Sequence, residues 1–241
     1  QTAFAYTPPT GYVALNTANL PEPTIGPNSA TLTSEVFDAV LYTGNGTVIG
    51  SGGKTISSLA FQPDFTWIKN RDATDSHMLF DAVRGATKHL SSDSGAAEVT
   101  TAESLTSFTA TGFTLGNNVA VNTNTEDYVA WNWKANGSGA TNEDGAIDST
   151  VSVNQGAGFS IVNYTGTGST TTVGHGLGVA PNFIIFKDRE EGSGYNWASY
   201  SSMLGATYNT GGLDQTSAAD AHANYFNNTA PTSTLFTVNT Y

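Results

Sequence analysis

Apolar residues along this chain fall in short runs that alternate with polar ones, and each run is bounded by Gly, Pro, Asn or Asp. That period of two puts successive side chains on opposite faces of a strand, and the bounding residues are those that turns require. Strands are predicted over residues 37–42, 65–70, 77–81, 112–115, 128–134, 159–164, 182–187, 196–200 and 235–239. Their lengths and regular spacing argue for an antiparallel sandwich. Residues 96–105 are the one stretch that could form a helical turn instead of a loop. In the run 128–134, Tyr128, Ala130 and Asn132 point one way, and Val129, Trp131 and Trp133 the other. The second set, larger and more apolar, is the expected core face.

The chain repeats itself. Phe37-Asp-Ala-Val-Leu-Tyr-Thr-Gly-Asn-Gly46 returns as Phe159-Ser-Ile-Val-Asn-Tyr-Thr-Gly-Thr-Gly168. Pro63-Asp-Phe-Thr-Trp-Ile-Lys-Asn-Arg71 returns as Pro181-Asn-Phe-Ile-Ile-Phe-Lys-Asp-Arg189, Gly85-Ala-Thr87 as Gly205-Ala-Thr207, and Gly112-Phe-Thr-Leu115 as Leu235-Phe-Thr-Val238. Four anchors in one order define two sandwich modules, residues 36–134 and 155–241. The alternating aromatic strand that closes the first module, Asp127 to Lys134, has no counterpart before Tyr241, so the second module is expected to lack one strand. Residues 135–154 are rich in Gly, Ser, Thr and Asn and read as a surface connection. The prolines of residues 20–35 make that stretch an extended connector. Gln1 in place of Met fits a segment of a longer protein.

Composition narrows the picture without changing it. Charged residues make up only 12%, yet 38% are hydrophobic, enough to bury a core, so the chain is not of the disordered class. The 26 glycines, with abundant Thr, Ser and Asn, favour strands and turns over helix. A net charge of −12 with no Lys/Arg cluster argues against a nucleic-acid partner. With no cysteine there are no disulfides or thiolate ligands, and no apolar run is long enough to span a membrane as a helix.

Candidate chemistry is sparse. A glycan-cleaving sandwich needs two carboxylates facing each other across a cleft. The nearest pairs, Glu126 with Asp127 and Glu143 with Asp144, are sequence neighbours that would point to opposite faces of a strand. Gly52-Gly-Lys-Thr55 lacks the earlier Gly of a phosphate-binding loop, with Val48 in its place, and reads as a turn. His77, His89, His175 and His222 stand singly, without partners at metal-ligand spacing. The alternate oxygens of residues 122–127 resemble a calcium loop but lack its central Gly and distant Glu, and a solvated hairpin explains them. No cofactor is implied. Lys69 with Arg71 and Lys187 with Arg189 recur at equivalent strand ends, either pairing with carboxylates and guarding a strand edge or contacting an anionic glycan. Tyr195, Trp197 and Tyr200, beside the Gly192–Gly194 turn, are the candidate sugar-stacking cluster, with Lys187 and Arg189 orienting hydroxyl or acidic groups. The competing use of these five side chains is to pack the module or its neighbour. Trp67, Trp131 and Trp133 are expected in the core.

Pro63 to Arg71, His77 to Gly85, Lys88 to Ser92, Leu105 to Phe108 and Tyr128 to Lys134 together resemble a module repeated in structural and fibre proteins of marine tailed phages. Asp144 to Ser152, Phe159 to Val162 and Val173 to Pro181 resemble the second copy that follows it there, so the resemblance covers nearly all of residues 36–241. Ala3 to Tyr12 with Leu15 resembles the closing strand of a SPRY domain, which makes residues 1–19 the end of an upstream domain. The resemblance implies a concanavalin-like jelly-roll sandwich on the surface of a virion, in a tail or head fibre, and supplies no active site. Expected partners are other virion proteins, a host-surface glycan and further copies of the chain in a homo-oligomer, without membrane insertion. A bacterial surface adhesin repeat and a glycan-degrading module are the competing classes; the resemblance favours the phage structural module.

Overall fold

The computed structural model describes residues 31–240 except 192–194, 206–207, 211, 217, 219 and 222. The SPRY-like strand within 1–19, most of the 20–35 connector, the 192–194 turn and His222 therefore lie outside the described residues.

The protein has an all-β sandwich fold. The first module runs β1 (Phe37–Thr43), β2 (Lys54–Ile56), β3 (Phe65–Asn70), β4 (Met78–Asp81), β5 (Lys88–Ser91), β6 (Val99–Thr100), β7 (Leu105–Thr109), β8 (Gly112–Leu115), the single helical turn α1 (Val119–Asn122) and β9 (Asp127–Trp133). One sheet has the order β1-β9-β3-β4-β5-β6 and the other β2-β8-β7. Between them lies a core that includes Tyr42, Ile68, Phe80, Leu105, Phe113, Leu115, Val121 and Tyr128. Each such large apolar side chain contributes roughly 1.5–3 kcal/mol when fully buried. Residues 96–105 hold β6 and the start of β7 rather than a helical turn. Val48 to Lys54 is a 3-10 turn through two glycines of positive φ into β2, which confirms the turn reading of Gly52 to Thr55.

The second module runs β10 (Ala140–Asn142), β11 (Ser149–Asn154), β12 (Phe159–Tyr164), β13 (Thr171–Gly174), β14 (Phe183–Phe186), β15 (Ala198–Ser201), β16 (Tyr208–Thr210), β17 (Asp220–Ala221), the turn α2 (Ala223–Phe226) and β18 (Leu235–Val238). Several of its pairings repeat those of the first. β13 pairs with β18 as β2 does with β8, and β14-β15-β16-β17 repeats β3-β4-β5-β6. Gly46 and Gly168, φ 63° and 68°, and Gly85 and Gly205, φ 94° and 78°, sit in matching left-handed turns. A side chain there is strained, which explains why glycine recurs at both positions.

Two expectations are corrected. Residues 135–154 are not merely a surface connection: they supply β10 and β11, and β11 lies along β12 over its whole length. Val151 is buried there and Ser152 accepts the Asn136 amide at 2.8 Å. The polar composition hid these strands because their less buried positions include Thr141, Asn142, Thr150 and Asn154, which suit a strand facing water on one side.

The second correction concerns β9, which presents Tyr128, Ala130 and Asn132 to the core, not Val129, Trp131 and Trp133. Its neighbours dictate the choice. Ala130 lies between Val40 and Ile68, where only a methyl fits between larger cross-strand partners. Asn132, fully buried, accepts from the Thr66 hydroxyl at 3.0 Å, and the Tyr128 hydroxyl donates to the Val119 carbonyl at 2.7 Å and accepts the Thr123 amide at 2.9 Å. These polar groups are therefore satisfied inside, as buried groups must be. The three tryptophans expected in this core, Trp67, Trp131 and Trp133, are instead on the opposite face, only partly covered.

If Ala130 faces the core, Ala130→Leu overfills it and lowers unfolding stability by about 1–3 kcal/mol. Urea denaturation checks this, and an unshifted midpoint would return β9 to the other orientation.

Candidate functional site

The outward face of the first module's large sheet carries an aromatic patch. Trp133 meets Phe37 at 4.9 Å and Phe65 at 5.3 Å between ring centroids, and Trp67 meets Trp131 edge-on at 6.3 Å. The second module docks on this patch through equivalent strands. Phe159, at the start of β12, lies 6.1 Å from both Phe65 and Trp133. Trp197 fills the space over Leu79 and Leu90, with Ile185 beside it, and only 5% of its surface remains accessible. Its indole N–H donates across the seam to the Ser91 carbonyl at 2.8 Å, so the polar edge of the ring is satisfied as well.

Polar contacts close the rim of this seam. Glu98 accepts from Arg84 at 3.1 Å and stands 3.4 Å from the Arg189 guanidinium and 3.9 Å from the Lys88 ammonium. Arg84 also pairs with Asp81. Glu98 and Arg189 are further joined through their backbones, the Glu98 amide donating to the Arg189 carbonyl at 2.8 Å. A carboxylate holding cations from both modules fixes the docking geometry more than it adds stability, since desolvation offsets much of the attraction.

Of the five residues read as a sugar-binding surface, Trp197 and Tyr200 are buried. Trp197 belongs to the seam, and Tyr200 packs edge-on against Phe226 at 5.7 Å inside the second module. Tyr195 is 38% exposed at the surface. Arg189 is held by Glu98 and donates to Asn163 at 2.6 Å. Lys187 donates to the Asp188 carbonyl at 2.7 Å and the Glu191 carbonyl at 3.4 Å, and Lys69 does the same with Asn70 at 2.7 Å and Ala73 at 3.0 Å. The two lysines therefore recur because each closes the turn after its strand. Their ammonium groups take up carbonyl oxygens that the ladder leaves unpaired. Packing accounts for Trp197 and Tyr200, and the five side chains do not converge on one exposed face.

The other candidate groups are engaged locally. Glu126 accepts from Asn70 at 2.6 Å and Asp127 from the Thr43 hydroxyl at 2.7 Å, while Asp144 accepts from Asn142 at 3.0 Å. Asn122, first residue of the calcium-like run, is fully buried and exchanges side-chain hydrogen bonds with the Asn45 loop. Among the described residues no group of three His, Asp or Glu could hold a metal ion. His77 Nδ1 accepts the Trp67 indole at 2.8 Å, and His175 Nδ1 accepts the Leu177 amide at 3.2 Å, which assigns both rings a neutral form. Burial lowers the pKa of His77, His89 and His175 below the ordinary 6.5.

A groove of about 600 Å³ lies between β12 and β14. Val238 to Thr240 line it from the second module, and Phe65, Leu79 and Leu90 from the first. Tyr164 stands in its wall, where burial, then Asp188, push the hydroxyl up to about 12. The one sequence signal for this site was the closing strand without a counterpart, because a groove made by two strand edges has no motif of its own.

The molecule is thus two β-sandwich modules, related by repeat, docked through an aromatic face. The chain belongs to the family described as a domain of unknown function, DUF7483, whose model spans residues 32–241 and so takes in both modules. No curated protein and no solved structure matches it.

Trp197→Ala should lower stability by about 3–5 kcal/mol, the cost of emptying a large buried aromatic site. A loss of less than about 1 kcal/mol by urea denaturation would mean the seam does not form as described. The three depressed histidines set a pH dependence. Their folded forms bind protons less readily than the unfolded chain, so stability is full above the unfolded value of 6.5 and is lost as pH falls through the folded values. Denaturation midpoints should therefore drop between pH 7 and pH 5, and His175→Gln should flatten that slope. A midpoint that is constant over this interval contradicts the assignment.

Proposed function

We propose that this chain is a structural module of a phage virion appendage, built to extend and stiffen a surface fibre rather than to catalyse a reaction. The observation that carries this reading is the use made of the large aromatic side chains. Trp197, Trp133, Phe65 and Phe159 join two sandwiches into one body instead of lining a cleft. Two modules locked face to face transmit force and hold their spacing, as a spacer must. The resemblance of residues 36–241 to repeated modules of marine tailed-phage fibre proteins supports the same class. So do the local hydrogen bonds that hold Glu126, Asp127 and Asp144, where a glycosidase needs two carboxylates aimed at one point. Any host-glycan contact would lie outside the Trp197 cluster, with Tyr195 the exposed aromatic on that side.

Antibody raised against the chain and conjugated to gold, applied to purified particles of the phage that encodes it, should decorate an appendage in electron micrographs. Particles that bear no label, while detergent extracts of the infected host do, would place the protein outside the virion and overturn the reading.

A further inference from the structure

In the first module β9 is the central strand of its half of the sheet. It pairs antiparallel with β1 from Phe37↔Trp133 to Thr43↔Asp127 and with β3 from Phe65↔Trp133 to Asn70↔Tyr128. The counterparts of β1 and β3 in the second module are β12 and β14, and neither pairs with the other. β12 ends the sheet β10-β11-β12 and β14 ends the sheet β14-β15-β16-β17. Two strand edges therefore face each other across the groove, each with backbone N–H and C=O groups that the ladder on its far side does not use. The side chain of Arg189, in the turn after β14, reaches Asn163 on β12 at one end of this gap.

We propose that this groove is the seat of a closing strand, the second-module counterpart of β9. Its occupant is an extended peptide of about seven residues, antiparallel to both edges. β12, with six residues, offers an edge roughly 20 Å long at about 3.3 Å per residue. The surroundings specify the occupant's chemistry on both sides. Towards the module's own core it would meet Val162, Ile184 and Val238, and towards the first module Phe65, Leu79 and Leu90. A strand with both faces covered reads as a nearly continuous apolar run. The β9 sequence, Tyr-Val-Ala-Trp-Asn-Trp, has this character and already fills the equivalent place. A small apolar ligand would fill the volume but leave two open strand edges unpaired, whereas a strand pairs with both. The seat is continuous with the aromatic seam through Phe159, so filling it also buttresses the docking of the two modules.

The test adds a synthetic peptide with the sequence of residues 126–134 to the full chain and follows amide hydrogen exchange. At about ten times its Kd the peptide should slow exchange about ten-fold at residues 159–164 and 183–186 together. The same peptide with Pro at the places of Ala130 and Trp131 cannot pair and should slow neither. Equal effects of both peptides, no effect of either, or protection confined to one edge would overturn the proposal. If the chain alone already shows both edges protected and sediments as a dimer, a second copy occupies the groove and the proposal also fails.

Discussion

Trp197 is the contact on which the rest of this arrangement depends. Its ring is covered by Leu79 and Leu90 of the other module, and its one polar group is taken by a carbonyl of that module. Burial of so large a side chain, with its N–H satisfied, gives apolar stabilisation without a desolvation cost. Once Trp197 is seated, Ile185 and Phe159 lie over the patch of Phe65 and Trp133, and Glu98 comes within reach of Arg189. The two sandwiches then act as one body, and the outer face of each large sheet becomes an inner surface.

That arrangement explains the corrected orientation of β9. Judged as one sandwich, a strand carrying Val129, Trp131 and Trp133 on one side should bury that side. The molecule has two places in which to bury apolar surface, the core of the module and the seam between modules. Tyr128, Ala130 and Asn132 take the first because their hydroxyl and amide find partners there and Ala130 fits between Val40 and Ile68. The tryptophans take the outer face, where Trp133 stacks against Phe159. The periodicity was legible in the sequence, but the choice of face depends on a neighbouring module that periodicity does not reveal.

The repeat was the most informative feature of the sequence. Phe37 to Tyr42 and Phe159 to Tyr164, read as equivalent, are β1 and β12, and Lys69 and Lys187 close the same turn in the two modules. Among the strands that the alternation did not predict, β10 and β11 are made of Ala, Thr, Ser, Asn and Val in a stretch that composition marks as loop, and others, such as β2 and β6, are only two or three residues long. Tyr195, Trp197 and Tyr200 looked like one cluster because they are near in sequence. Trp197, just before β15, and Tyr200 within it nevertheless point opposite ways, one into the seam and the other towards Phe226. The groove between β12 and β14 could be anticipated only as a strand without a counterpart, and its walls could not, since Phe65, Leu79 and Leu90 come to it from the first module.

The central claim is that the two modules form a single docked body through Trp197, and the exchange of its indole proton reads this directly. In the folded chain that N–H is held 2.8 Å from the Ser91 carbonyl and shielded from water. The account predicts an indole signal in heteronuclear NMR that persists in deuterated buffer until urea unfolds the protein. Exchange at the rate of a free indole in the fully folded chain, with the other tryptophan signals unchanged, would contradict it.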